Sequence, residues 1–394
     1  MRTLSKKILA VKSSPTIALN SKAAQLLKEG KPVISFAVGE PDFQTPQKIV
    51  DQAIAGLKAG HTKYGAAGGG PVLRKAIADK LKRENHLEFT PEQIVVGIGA
   101  KEILFHVMLT LLNEGDEVLI PSPYWVSYAD QIVAAGGIPI QLPLPKNFPD
   151  QGFDVELIEK YATKKTTAII LNSPNNPTGY VFSKDELNSL GKILSQKDWW
   201  IVSDEIYEYL AFDRPHFSLL ELFPDLKDRF LYVNGFSKSF AMTGWRVGYV
   251  AGPLEVMKLV RSLQSHSSTC LPPFIEEAAV LAIQSGHDLV AHELEILNTR
   301  RKLAFDLLKK VSGIQVAEPM GAFYLFADVR AKWASSLSFC EELLNQKSVV
   351  VVPGEAFGAP GFFRLSYAVS DAQLREGISR IEQFWSSAKS GGKQ

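Results

Sequence analysis

The sequence predicts an α/β protein with a large domain on a mostly parallel seven-stranded sheet and a smaller α+β domain. Three observations carry this reading. Seven short apolar runs rich in β-branched residues recur at 93–97, 117–120, 138–141, 166–171, 199–203, 230–234 and 247–251. Amphipathic stretches such as 101–112, 184–195 and 254–263 separate them. Continuous Val/Ile/Leu strands alternating with helices imply a sheet covered on both faces. Beyond about Gln284 the pattern changes to a long charged helix over 292–311, strands at 319–326, 349–352 and 363–367, and a closing helix over 371–385.

The expected division is an N-terminal arm over 1–45 that joins the small domain, a large domain over 46–284, and a small domain over 285–394. The polar tail at 389–394 is expected to be disordered. Composition is that of an ordinary globular protein: 394 residues, 46% hydrophobic, 22% charged, net charge +1. No basic stripe suits nucleic acid, and no run approaches the ~20 apolar residues of a membrane span. Cys270 and Cys340 stand far apart without CxxC or histidine spacing, so neither a disulfide framework nor a metal site is expected. The N-terminus lacks the unbroken apolar run of a signal peptide, and a reducing cytoplasm is expected.

In parallel sheets ligands collect beyond the carboxyl ends of the strands. After 230–234 comes Gly235-Phe236-Ser237-Lys238, with Arg246 eight residues beyond the lysine. A lone lysine is usually solvated, but this one sits in a small-residue loop poor in other charge. Its amine can form an imine with an aldehyde and, once freed, act as a general base. Arg246 offers the planar fork that suits a phosphate. After 199–203 come Asp204 and Tyr207, whose bland roles are helix cap and core packing. After 166–171 comes Asn172-Ser173-Pro174-Asn175-Asn176-Pro177-Thr178-Gly179, a turn on local chemistry alone. Gly97-Ile98-Gly99-Ala100-Lys101-Glu102 opens a helix whose backbone N–H groups can cradle a phosphate. It fails the dinucleotide pattern GxGxxG, because Glu102 occupies the third glycine position. Trp125 follows 117–120, Arg364 lies within the strand at 363–367, and Gly39 and Tyr64 lie in glycine-bearing segments near the N-terminus.

The run 235–248 resembles, position by position, the lysine signature of the class I pyridoxal-phosphate aminotransferases. The other motifs follow in that family's order from about Ser13 to the last helix. The resemblance implies fold type I and pyridoxal 5′-phosphate held as a Schiff base on Lys238. It implies that Asp204 pairs with the ring nitrogen, that Tyr207 and Asn176 bond the ring oxygen, and that Trp125 stacks on the ring. Gly99, Ala100, Lys101 and Arg246 would hold the phosphate, and Arg364 the substrate's α-carboxylate beside Gly39. Tyr64 would reach the neighbouring subunit's phosphate, which implies a homodimer with shared sites. One departure is Gly235, where many relatives carry a phosphate-binding serine; Ser237 is the remaining candidate.

Within the family the chain is most similar to the bacterial-type aspartate/prephenate subgroup, with Lys12, Ser14-Pro15-Thr16 and Lys101 where that group meets the substrate side chain. The implied activity is ping-pong transfer between an amino acid, aspartate foremost, and a 2-oxo acid, 2-oxoglutarate foremost. The alternatives are another amino-acid specificity (prephenate, aromatic or alanine) and a β-lyase. A non-catalytic cofactor sensor would need a DNA-binding domain, for which the sequence has no basic helix-turn-helix pattern.

Overall fold

The computed structural model describes residues 4–11, 15–145, 148 and 153–388. Lys12, Ser14 and the tail at 389–394, each given a role above, lie outside the described residues. The strands are β1 Ile34–Ser35, β2 Ile94–Ile98, β3 Glu117–Pro121, β4 Ile138–Leu142, β5 Thr166–Asn172, β6 Trp200–Asp204 and β7 Phe230–Gly235. They continue with β8 Val247–Ala251, β9 Gln315–Val316, β10 Tyr324–Asp328, β11 Val349–Val350, β12 Val352–Pro353 and β13 Phe362–Ser366.

The expected seven-stranded sheet is present, in the order β2-β8-β7-β6-β5-β3-β4. Only β8 runs against its neighbours. Side chains alternate across a strand, and here the alternation sorts them into two cores. Leu119, Ile169, Ile201 and Tyr232 belong to one cluster, whereas Val118, Ala168, Val202 and Leu231 belong to the other. Each fully buried aliphatic side chain contributes about 1.5–3 kcal/mol, so the sheet interior tolerates few polar residues. The antiparallel β8 has a consequence for function. Its entry, with Arg246, falls at the sheet edge where β2, β5, β6 and β7 end, because Val247 pairs with Ile98 and Gly248 with both Gly97 and Gly235.

Two expected strands beyond the large sheet differ from prediction. The run 319–326 is a strand only from Tyr324 onward, in β10. Upstream, Ala322 turns with φ 55° and Gly321 bridges to Ala211, an irregular backbone that apolar content alone does not reveal. The run 349–352 splits in two: β11 pairs in parallel with β1, while β12 pairs antiparallel with β13 in a sheet ordered β12-β13-β10-β9. Helices Ala291–Lys309 and Asp371–Ser387 pack on one another, the latter opened by a Ser370/Gln373 capping box. Among the described residues no helix is long and apolar enough to cross a membrane.

Candidate active site

A cavity of about 440 Å³ opens at the sheet edge just described. It is built from strand ends, so each functional side chain stands on a rigid element. Lys238 follows β7, and its loop is pinned by buried Phe236 and Phe240. The Lys238 ammonium donates to the carbonyl of Gly39. Burial, reinforced by the charge of Arg364, pulls the Lys238 amine down to about 8. The departure at Gly235 has a local cause, since a Cβ there would stand 2.9 Å from the Val247 carbonyl oxygen. Ser237 is buried in the cavity lining.

Asp204 ends β6 and is buried. It is not a helix cap: the next helical turn is Glu208–Leu210, with Tyr207 at its N-cap. Instead Asp204 Oδ2 accepts from Tyr128 Oη at 2.6 Å and Oδ1 from the Ile206 amide at 3.3 Å. Burial lifts the Asp204 carboxyl to about 6, although these two bonds pull the other way. A buried carboxylate in that condition is stabilised by any cation placed against it.

Arg364, on β13, is the electrostatic counterpart. Nη1 donates to Asn176 Oδ1 at 2.9 Å and Nη2 to the Ala37 carbonyl at 2.8 Å. The guanidinium carbon lies 4.4 Å from the Tyr324 ring centre and 5.1 Å from that of Phe357. Among the described residues Nε is buried without a partner. These partners are all neutral, and burial lowers the guanidinium's proton affinity. An uncompensated buried cation is costly, and a bound carboxylate relieves that cost.

At the opposite end, the helix Ala100–Leu111 begins at Gly99, whose φ of 82° favours glycine. A Cβ on Gly99 would stand 2.5 Å from Arg246 Nη2, and one on Gly248 2.2 Å from the Ala100 nitrogen. Backbone donors and guanidinium therefore converge in a cradle that side chains would fill. Glu102 turns back to accept from the Ile98 amide at 2.6 Å. Trp125 lines the cavity, meeting Tyr128 edge-on at 5.3 Å, and Lys101 Nζ lies 5.1 Å from a Trp125 ring centre. Partial burial and the charge of Arg246 lower the Lys101 amine. Tyr64 is 88% exposed and stands outside the cavity lining.

An aromatic ring with a phosphate at one end and a basic nitrogen fits these residues. The N-terminal cradle suits the phosphate, buried Asp204 the nitrogen, Trp125 the ring face, and the low-affinity Lys238 amine an aldehyde. The family described as aminotransferase class I and II matches residues 31–381. The chain belongs to that family. This aminotransferase is 43% identical to the probable aspartate/prephenate aminotransferase of Aquifex aeolicus, over 96% of its own length and 98% of that relative's. It is 40% identical to the aspartate aminotransferase of Bacillus sp. strain YM-2, over 97% and 98%. Its fold matches the Thermus thermophilus aspartate aminotransferase with maleate at a TM-score of 0.91 and 38% identity, covering 97% of this chain and all of that one. The Rhizobium meliloti aspartate aminotransferase gives 0.94 at 36% identity, over 99% and 100%.

The cavity of the aminotransferase thus gathers Gly39, Ala100, Lys101, Trp125, Asn176, Asp204, Tyr207, Ser237, Lys238, Arg246 and Arg364, while Gly99, which abuts Arg246, is not part of the lining. Sequence reading missed Tyr128, Tyr324 and Phe357, which line the same cavity. Tyr128 carried a weak signal, one helical turn beyond Trp125. Tyr324 carried none, because its approach depends on the pairing of β10 and β13, and Phe357 stands on a short turn, Gly354–Phe357, that no motif marks.

Proposed function

We propose that this aminotransferase uses pyridoxal 5′-phosphate held on Lys238 to move an amino group between aspartate and a 2-oxo acid, 2-oxoglutarate foremost, in two half-reactions. The observation that carries the proposal is one cavity holding a lysine of lowered proton affinity, a buried carboxylate and a buried arginine with neutral partners only.

When bound, the cofactor supplies an electron-accepting ring that stabilises the pair left by a departing Cα proton. Asp204, ionised above pH 6, holds the ring nitrogen's positive charge, with Tyr128 steadying the carboxylate. Tyr207 and Asn176 bond the ring oxygen and Trp125 covers one ring face. The Gly99, Ala100 and Lys101 amides, Ser237 and Arg246 hold the phosphate. Arg364 grips the substrate's α-carboxylate, giving Nε its missing partner, and Gly39 leaves room for the substrate. Once freed, Lys238 Nζ would act as the general base that takes the substrate's Cα proton and then as the acid that gives it up to the cofactor. Lys101 and Lys12 receive the second carboxylate. The Aquifex relative's name adds prephenate as a further acceptor.

Tyr64 of each subunit completes the other's phosphate site in a cytoplasmic homodimer. The division at 45/46 and 284/285 leaves the catalytic cavity between a large domain and a small one formed by both chain ends.

Borohydride reduction followed by peptide mass mapping is expected to place a pyridoxyl group on Lys238; its appearance on another lysine overturns the proposal. In a substrate panel, aspartate with 2-oxoglutarate is expected to outpace leucine, alanine and cystathionine. For Lys101→Ala, kcat/KM for aspartate is expected to drop about tenfold, as loss of one charge-assisted bond implies. Alanine is expected to be nearly unaffected, since Arg364 still holds its carboxylate; equal losses would assign Lys101 to the cofactor or the fold.

A further inference from the structure

Tyr324 is fully buried at the start of β10, where no sequence motif marks it. Its ring lies under the Arg364 guanidinium at 4.4 Å. Its hydroxyl lies 2.9 Å from Tyr207 Oη, and the two rings meet edge-on at 6.0 Å. Among the described residues Tyr207 is the one hydrogen-bond partner of that hydroxyl. Gly39 packs beside the hydroxyl, where a Cβ would come within 3.0 Å of it.

A phenol has one proton and can also accept. If Tyr207 donated to Tyr324, Tyr207 would have no proton left for a ligand in the cavity. If Tyr324 donates, Tyr207 accepts from behind and turns its own proton into the cavity. A buried hydroxyl is under pressure to donate somewhere, and Tyr324 has no other acceptor among the described residues. Burial raises the Tyr324 hydroxyl, and the Arg364 cation over its ring counters that rise by favouring loss of the proton.

We propose that Tyr324 is a positioning residue: its hydroxyl donates to Tyr207 and commits the Tyr207 proton to the cavity, while its ring seats Arg364. The proposal rests on the reading that Tyr207 bonds the oxygen of a Lys238-held cofactor. It couples the arginine that grips substrate to the tyrosine that grips cofactor through one side chain. Donation to an anionic ring oxygen weakens that oxygen's hold on the protonated nitrogen beside it. Losing the orientation of the Tyr207 proton therefore raises the pH at which the holoenzyme's visible absorbance changes.

The test is an absorbance titration of the holoenzyme for wild type, Tyr324→Phe, Tyr207→Phe and the double variant, with steady-state kinetics on each. Tyr324→Phe keeps the ring, so packing and the seat of Arg364 survive. Its absorbance midpoint is expected to rise by roughly half to one pH unit, the equivalent of one hydrogen bond of ordinary net strength. Its kcat is expected to fall about tenfold, while KM for the amino acid moves less than about threefold. The double variant is expected to match Tyr207→Phe alone, because Tyr324 acts through Tyr207. A wild-type midpoint in Tyr324→Phe, or additive shifts in the double variant, overturns the inference. Wild-type enzyme with no chromophore on Lys238 would overturn the underlying reading itself, a result separable from an unmoved Tyr324→Phe midpoint.

Discussion

Asp204 and Lys238 are both held away from their ordinary proton affinities, in directions that neutralise them in the ligand-free protein. The rise of the Asp204 carboxyl from 3.8 to about 6 is equivalent to roughly 3 kcal/mol. A carboxyl raised in the folded state is not penalised below pH 4; the penalty grows as pH climbs from about 4 to 6 and is full above that. Asp204→Asn is therefore expected to melt several degrees higher than wild type as apoprotein at pH 7.5, while holoenzyme turnover falls about a hundredfold for want of the ring's counter-charge. Calorimetry and a turnover assay check both halves; a variant of lower melting point and undiminished rate contradicts both. For Lys238 the lowered affinity means that the neutral, nucleophilic amine accumulates as pH rises through about 8. Capture of pyridoxal phosphate by apoenzyme is thus expected to accelerate about fivefold from pH 7 to 8 and to level off above 9, as a group titrating near 8 requires. Stopped-flow absorbance measures this directly, and a flat profile from pH 6.5 to 9 would count against burial as the tuning force.

At the scale of elements, a buried ion pair braces the turn that carries Tyr207. Lys80, on helix Pro71–Asn85, pairs with Glu208, which also accepts from Asn85 at 2.8 Å and Tyr232 Oη at 2.9 Å. Burial alone would raise the Glu208 carboxyl, but the Lys80 ammonium and the Asn85 bond outweigh it and hold it low. Lys80→Met leaves that carboxylate buried without a counter-ion and is expected to cost about 3–5 kcal/mol. Adding Glu208→Gln is expected to restore most of it, because the charge then goes too. Denaturant titration of both variants decides the matter; equal losses in the two would show that packing, not charge, is at stake. Six of the seven strands of the large sheet were legible because burial leaves them almost wholly apolar, whereas the partly exposed edge strand β4 was legible from its two isoleucines. The splitting of 349–352 was not, since four consecutive valines say nothing about which neighbour each pairs with. In the same way Lys238, Asp204 and Arg364 could be found from local motifs. Tyr324 could not, because its meeting with Tyr207 spans 117 residues and depends on the small sheet's register.

On the scale of the whole molecule, the cavity of one chain lacks an expected contributor. Tyr64 is exposed to 88%, in a loop whose Gly65 amide donates to Cys270 Sγ at 3.3 Å, and it is not part of its own chain's cavity lining. Near it in sequence, Ile54, Leu57 and Val72 also stand exposed. The shared-site proposal would place such side chains against the partner. In a symmetric dimer the same surface serves both copies, so a residue lent in one direction is lent in the other. Mixing Tyr64→Phe chains with Lys238→Ala chains tests the lending. If Tyr64 serves the partner's site, each mixed dimer holds one site with both residues intact and one with both defects. Random exchange at equal amounts makes half the dimers mixed, so about a quarter of all sites should be whole. Activity is then expected to rise above the mean of the two parents to at least that level, and only after subunits have exchanged. If Tyr64 serves its own chain, every site in the mixture carries one defect, whatever the pairing. Proven exchange without recovery would therefore place Tyr64 outside any shared site and leave the dimer without its functional argument.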